Sequence, residues 1–150
     1  MMVPKFRAWN GYRKIMADYV SAIQNGDTKG TPSSVNVILN GKNETWDIKN
    51  DRVELLQFTG LKDVNGKDIY EGDIVTVQAT NDDGSTDGML GKIVYDEDIA
   101  SFEFTTTGKG GWYTSSFDNL FEEGFFDIHV IGNVHTNSEL LEAQHDPRTD

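Results

Sequence analysis

Met89-Leu90-Gly91-Lys92-Ile93-Val94-Tyr95, then Asp96-Glu97-Asp98, then Ile99-Ala100-Ser101-Phe102-Glu103-Phe104-Thr105, is the stretch that decides the fold. The two flanking runs are rich in branched and aromatic residues, and three acids between them make a tight turn. Such an arrangement predicts a β-hairpin. Period-two spacing sends Ile93 and Tyr95 of one arm, and Phe102 and Phe104 of the other, to the same side. Upstream, Ile74–Thr80 is another β-rich run, carrying Val75 and Val77 inward, and Asn81–Gly88 is a loop by composition. Downstream come a Gly-rich loop over Thr106–Gly111, a short strand at Trp112-Tyr113-Thr114, and about two helical turns over Ser116–Gly124. Phe126–Val134 is a final strand with Ile128 and Val130 facing in. A brief helix over Ser138–Ala143 precedes a frayed tail.

This order of elements is that of an SH3-like small barrel. We therefore expect a mainly β chain: an N-terminal β-hairpin region over 1–60, an SH3-like barrel with a short helix over 70–135, and a short helix and tail over 136–150. The N-terminal region carries its own turn signals. Asn10-Gly11 separates Lys5–Trp9 from Tyr12–Met16, and Asn40-Gly41 separates Val35–Leu39 from Glu44–Ile48. Asn-Gly suits a two-residue hairpin loop, whose central residues both need φ > 0. Gln24–Ser34 reads as a polar loop. Arg52–Gln57 fits either a helical turn or a strand.

Composition narrows the chemistry. The chain has 150 residues, 13 Lys and Arg, 25 Asp and Glu, and a net charge of −12. It holds no cysteine, which excludes disulfides, thiolate metal sites and a Cys nucleophile. Nothing approaches the roughly 18 consecutive apolar residues of a membrane span, and Met1–Val20 lacks an apolar signal core. A cytoplasmic protein without membrane contact is expected. The charge is lopsided: residues 1–75 carry ten basic and ten acidic side chains, and residues 76–150 carry three and fifteen. Two units with different surfaces would produce this.

Three further segments resemble one family. They are Lys5-Phe6-Arg7-Ala8-Trp9-Asn10, the long run Leu55–Val75 (LLQFTGLKDVNGKDIYEGDIV), and Val130-Ile131-Gly132-Asn133-Val134-His135 followed by Asn137-Ser138-Glu139-Leu140-Leu141. Together they are similar to the YopX-like family of phage and prophage proteins. The matches run the length of the chain, with variable stretches at 17–50 and 78–125. The sequence departs from the usual pattern at Asn10, where Asp is common, and at Ser138, where Pro is common. The resemblance implies a small, intracellular, self-associating protein encoded by phage or prophage DNA. It carries over no catalytic or binding residues. In the long run, Gly60, Gly66 and Gly72 recur every six residues, which suits consecutive turns.

Each chemical motif has a plainer explanation. Asn81, Asp83, Ser85 and Asp87 alternate like Ca²⁺ ligands, but an EF-hand loop needs Gly sixth and Glu twelfth, where this chain has Thr86 and Lys92. His129 and His135 stand ~20 Å apart on an extended strand, too far for one ion. There is no Gly-x-Ser-x-Gly elbow, and Gly108-Lys109-Gly110-Gly111 is not a P-loop. No catalytic, metal or cofactor residue is assigned, and a non-enzymatic protein is expected.

The N-terminal hairpin offers the best interaction surface. With a two-residue loop, Trp9 faces Tyr12, Arg7 faces Lys14 and Phe6 faces Ile15. Lys5, Arg7, Trp9, Tyr12 and Lys14 then share one side. Like charges opposed across a hairpin are unfavourable, so this face suggests an acidic partner. The acidic half of a second copy is one candidate, giving a homo-oligomer. Nucleic acid stacked on Trp9 and Tyr12 is another. In a further alternative the acidic half mimics DNA and occupies a basic host protein. A longer loop would shift the register and dissolve the shared face.

Overall fold

The computed structural model describes residues 4–26, 30–108, 111–116 and 126–142. The chain divides into two compact units, Met1–Phe58 and Thr59–Asp150. Both are built from antiparallel strands, and the protein is mainly β.

The first unit holds β1 (Phe6–Asn10), β2 (Ile15–Met16), β3 (Tyr19–Asn25), β4 (Pro32–Leu39), β5 (Lys42–Asp47) and the start of β6 (Val53–Lys62). β1 lies between β2 and β6. β3, β4 and β5 form a three-stranded sheet in sequence order. Asn40-Gly41 makes the two-residue loop expected of it: Leu39 pairs with Lys42, and both loop residues have positive φ, 52° and 79°. Alternation along β4 sends Val35 and Val37 inward to meet Trp46, Ala8, Ala17 and Val53, all 9% exposed or less. β3 is an edge strand with most of its residues exposed, and register shifts interrupt its pairing after Val20 and Gln24. Such irregularity discourages further strands from pairing there.

The second unit holds the end of β6, then β7 (Asp68–Tyr70), β8 (Asp73–Thr80), β9 (Thr86–Asp96), β10 (Ser101–Gly108), β11 (Gly111–Ser116), β12 (Phe126–Asn133) and α1 (Glu139–Glu142). Its five-stranded sheet runs β11-β10-β9-β8-β12. Four consecutive strands meander and the last returns beside the first, an order consistent with an SH3-like barrel. Val75, Val77, Ile93, Phe104 and Ile128 join Ile69 in its core, with Phe102 and Val130 packed against them. Tyr95 is half-buried, edge-on to Phe102 with ring centroids 5.1 Å apart. Between Val130 and Gly132 the pairing of β12 with β8 slips, and Ile131 is left 42% exposed. The helical turns expected at 116–124 lie almost wholly outside the described residues. No helix among the described residues is long and apolar enough to cross a membrane.

Of the three evenly spaced glycines, Gly66 and Gly72 stand in turns, whereas Gly60 lies within β6 rather than in the turn expected of it. Gly60, Gly66 and Gly72 have φ of 89°, 82° and 86°. Gly72 is the pin of the second unit: its N–H donates to the Ile93 carbonyl (2.8 Å), and its own carbonyl accepts from Val134 N–H (2.8 Å). Beside it, buried Asp73 accepts the Tyr70 N–H at 2.8 Å.

Candidate functional site

The five hairpin residues do not form one face. β1 and β2 pair Trp9 with Met16 and Asn10 with Ile15, so the loop is the four residues 11–14 rather than Asn10-Gly11. The expected pairs of Trp9 with Tyr12, Arg7 with Lys14 and Phe6 with Ile15 are therefore corrected. The cause is Asn10, which is fully buried and turns its side chain back on the loop. Its Oδ1 accepts N–H bonds from Tyr12 (3.1 Å) and Arg13 (2.8 Å). This Asx-type capture competes with the tight hairpin turn. Positive φ falls instead on Lys14, at 57°.

Lys5, Arg7 and Trp9 remain on one side of β1 by alternation. Lys5 Nζ sits 4.4 Å from the centroid of the Phe58 ring, a cation–π contact. Arg7 is half-buried opposite Leu56, and Trp9, 9% exposed, lies opposite Glu54. A buried indole offers no face for stacking a base. Tyr12 and Lys14 stand apart on the loop, exposed, with Tyr12 at 67%.

That loop is held against the turn at 48–52. Gly11 N–H donates to the Arg52 carbonyl (3.1 Å), and Tyr12 N–H donates to the Asp51 carbonyl (3.0 Å). A Cβ on Gly11 would stand 2.8 Å from the Arg52 oxygen, so the close approach needs glycine. Arg13 reaches across to Glu44, with Nη1 to Oε1 at 2.6 Å. The same Glu44 oxygen accepts Trp46 Nε1–H at 2.9 Å. The Trp46 bond, then the Arg13 bond, hold the Glu44 carboxyl below its ordinary range.

The result is a pair of abutting turns that presents Tyr12, Lys14, Lys49 and Arg52 to solvent. Lys14 and Arg52 both adopt the left-handed backbone, the latter at 50°. That conformation is uncommon for non-Gly residues. Sequence reading missed Lys49 and Arg52. Their signal was the polar run Asp47–Arg52 after Trp46, which marks a turn but not what it touches.

Two acids share this turn, Asp47 accepting the Asn50 N–H (2.7 Å) and Asp51 accepting the Asp47 N–H (2.9 Å), and most of the other acidic groups lie in the second unit. By sequence, the first unit carries eight basic and six acidic side chains, +2, and the second five and nineteen, −14. Asp96, Glu97, Asp98 and Glu103 border an open groove of about 420 Å³ at the β9–β10 turn, together with Val94 and Tyr95. The β8–β9 loop closes on itself: Asp83 accepts the Ser85 N–H (2.9 Å) and hydroxyl, and Asn81 Nδ2 donates to Asp87 (3.1 Å). The Ser85 bonds hold Asp83 below its ordinary range. Among the described residues, no three His, Asp or Glu side chains are grouped to hold a metal ion.

Asp63 of the long motif has an elaborate setting, and it is a structural one. Its Oδ1 accepts N–H bonds from Asn65 and Lys67, each 2.9 Å, and its Oδ2 accepts from Val130 (3.0 Å). Burial by itself pushes the carboxyl up. The three N–H groups and the charge of His129 outweigh burial and hold it below its ordinary value. The turn thereby satisfies part of the outer edge of β12, aided by Val64 N–H to the Ile128 carbonyl (3.0 Å).

No curated protein matches the chain. Among solved structures, it resembles the crystal structure of protein EF1440 from Enterococcus faecalis, with a TM-score of 0.52 and 26% identity. The match covers 94% of this chain and 99% of that one. The family model described as YopX protein matches residues 5–142. The chain thus belongs to the YopX family.

Proposed function

We propose that the protein acts by binding rather than by catalysis. In this reading, the paired turns of the first unit grip an acidic macromolecular surface, that of a second copy's C-terminal unit first of all. The supporting observation is the separation of charge. A +2 unit exposes a tyrosine among Lys14, Lys49 and Arg52, and the unit that follows carries −14. Opposite potentials on two parts of one chain favour head-to-tail association and make it sensitive to salt. The phage or prophage setting that the family resemblance implies suits an accessory protein of this kind.

The test is light scattering of the wild type and of a Lys14→Asn/Lys49→Gln/Arg52→Asn variant, across a salt series. Asparagine tolerates the left-handed backbone at positions 14 and 52 better than Lys or Arg, so the variant removes charge without adding strain. The expected result is a wild-type mass above the monomer that falls with salt, and a smaller mass for the variant. A monomeric wild type at low salt, or a variant assembly identical to wild type, overturns the proposal.

Exposure of Tyr12 beside three cations also supports a second reading, in which single-stranded nucleic acid stacks on that ring. A gel shift with oligonucleotides, abolished by Tyr12→Ala, separates it from the first.

A further inference from the structure

The chain contains three Asn-Gly pairs, and the structure places them in three different chemical situations. Asparagine followed by glycine is prone to cyclise, because glycine has no Cβ to shield its amide nitrogen. Reaction needs the asparagine Cγ to be reachable and the glycine N–H to be free.

Asn10-Gly11 meets neither condition. Asn10 is fully buried with its Oδ1 engaged by two backbone N–H groups, and Gly11 N–H donates to Arg52. Asn65 is exposed, but the Gly66 N–H donates to the Asp63 carbonyl at 2.9 Å and the Asn65 N–H to Asp63 Oδ1 at 2.9 Å. At Asn40-Gly41 both residues are exposed, and nothing lies within 4 Å of where a Gly41 Cβ would be. Among the described residues, no acceptor takes the Gly41 N–H. Here the Asn40 N–H is anchored instead, to Asp18 Oδ2 at 3.1 Å.

We infer that Asn40 is a self-modification site, at which the folded chain converts its own asparagine to aspartate and isoaspartate ahead of the other two pairs. Hydroxide removes the Gly41 amide proton. The nitrogen bonds to Asn40 Cγ as the Cγ–Nδ2 bond breaks, and ammonia leaves carrying a proton from water. Water then opens the five-membered imide at either carbonyl. One water enters, one ammonia departs, and no oxidant or reductant takes part. The product adds a carboxylate beside Asp18 and takes the first unit from +2 to +1. In the isoaspartyl form it also lengthens the backbone of a loop that has to join Leu39 to Lys42 in two residues. Conversion therefore weakens the β4–β5 hairpin and makes the basic unit less basic with age.

The intact protein is incubated in mildly alkaline bicarbonate, folded and in urea, and mapped by peptide mass spectrometry and isoaspartyl methyltransferase labelling. In the folded chain, Asn40 should convert at least about fivefold faster than Asn65, the factor set by one ordinary backbone hydrogen bond on the Gly66 nitrogen. Asn10 should be slowest. In urea the three rates should converge, and Gly41→Ala should slow position 40 without touching 65. Equal or faster conversion at Asn65 or Asn10 in the folded chain overturns the inference. So does an Asn40 that converts in urea and not in the folded chain. The wild-type ranking decides the question even where the Gly41 variant folds poorly, and it is independent of any binding function.

Discussion

Replacing Asp63 by asparagine tests whether this carboxylate holds the second unit together. The side chain is 7% exposed and accepts three backbone N–H groups at 2.9–3.0 Å. An asparagine can keep its oxygen on the turn, toward Asn65 and Lys67. Its NH2 then faces the Val130 N–H, donor against donor. Hydrogen bonds to a charged acceptor contribute about 1.5–3 kcal/mol net, and a buried donor left unmatched costs about 1–3. Asp63→Asn should therefore destabilise by ~2 kcal/mol at neutral pH, which lowers Tm by roughly 10 °C for a unit of this size. Asp63→Ala, which strips all three bonds, should cost more. Thermal unfolding by circular dichroism measures the first quantity. Amide exchange at Val130 and Val64 locates it. Because the folded-state carboxyl titrates below its ordinary value of 3.8, its contribution is full above that pH and is lost as pH falls through the lower, folded-state value. The gap between wild type and variant should close on acidification. A variant with wild-type Tm at neutral pH, or with unchanged Val130 protection, refutes the argument.

Other substitutions separate packing from binding. Gly91→Ala pushes a Cβ into the Thr105 carbonyl and to 2.7 Å from the Phe104 ring; a loss of about 1–3 kcal/mol is expected from overpacking, measured by urea unfolding. Phe104→Ala empties the centre of the second core, where Phe104 is 2% exposed, and should cost about 3–5 kcal/mol in the same assay. Tyr12→Ala, at a position 67% exposed, should leave stability within about 0.5 kcal/mol while weakening whatever association light scattering detects.

The three Asn-Gly pairs show which part of the structure was legible in the sequence. Locally they are the same dipeptide. Asn40-Gly41 stands clear of other groups and forms the loop that dihedral preference favours. Asn65-Gly66 makes a turn whose geometry is set by Asp63, two residues upstream. Asn10 is captured by its own loop, and Gly11 is pressed on a turn forty residues later. Pattern reading sees propensity but neither the hold of the Asn10 side chain on its own loop nor the distant Arg52 carbonyl, so the hairpin register failed there, and with it the shared face of Lys5, Arg7, Trp9, Tyr12 and Lys14. Strand order in the second unit was legible because Val75, Val77, Ile93, Phe104 and Ile128 keep strict alternation. β3 was hidden, since an exposed edge strand such as Val20-Ser21-Ala22-Ile23-Gln24 has little reason to alternate. Arg52–Gln57 was ambiguous because Val53, Leu55, Leu56 and Phe58 fit either period; pairing with β1 settles it as strand.

The pairing of β12 with β8 joins residues that are far apart in sequence, Phe126 with Ala79 and Asn133 with Asp73. During synthesis, β8 leaves the ribosome some fifty residues before its neighbour exists. For that interval the nascent chain carries a bare strand flank of Ile74, Val75 and Val77, ready to join any passing β-segment. Closure waits for the final strand and its Gly72 latch, so folding of this unit should be slow. A shortened product ending before Phe126 should clump rather than fold.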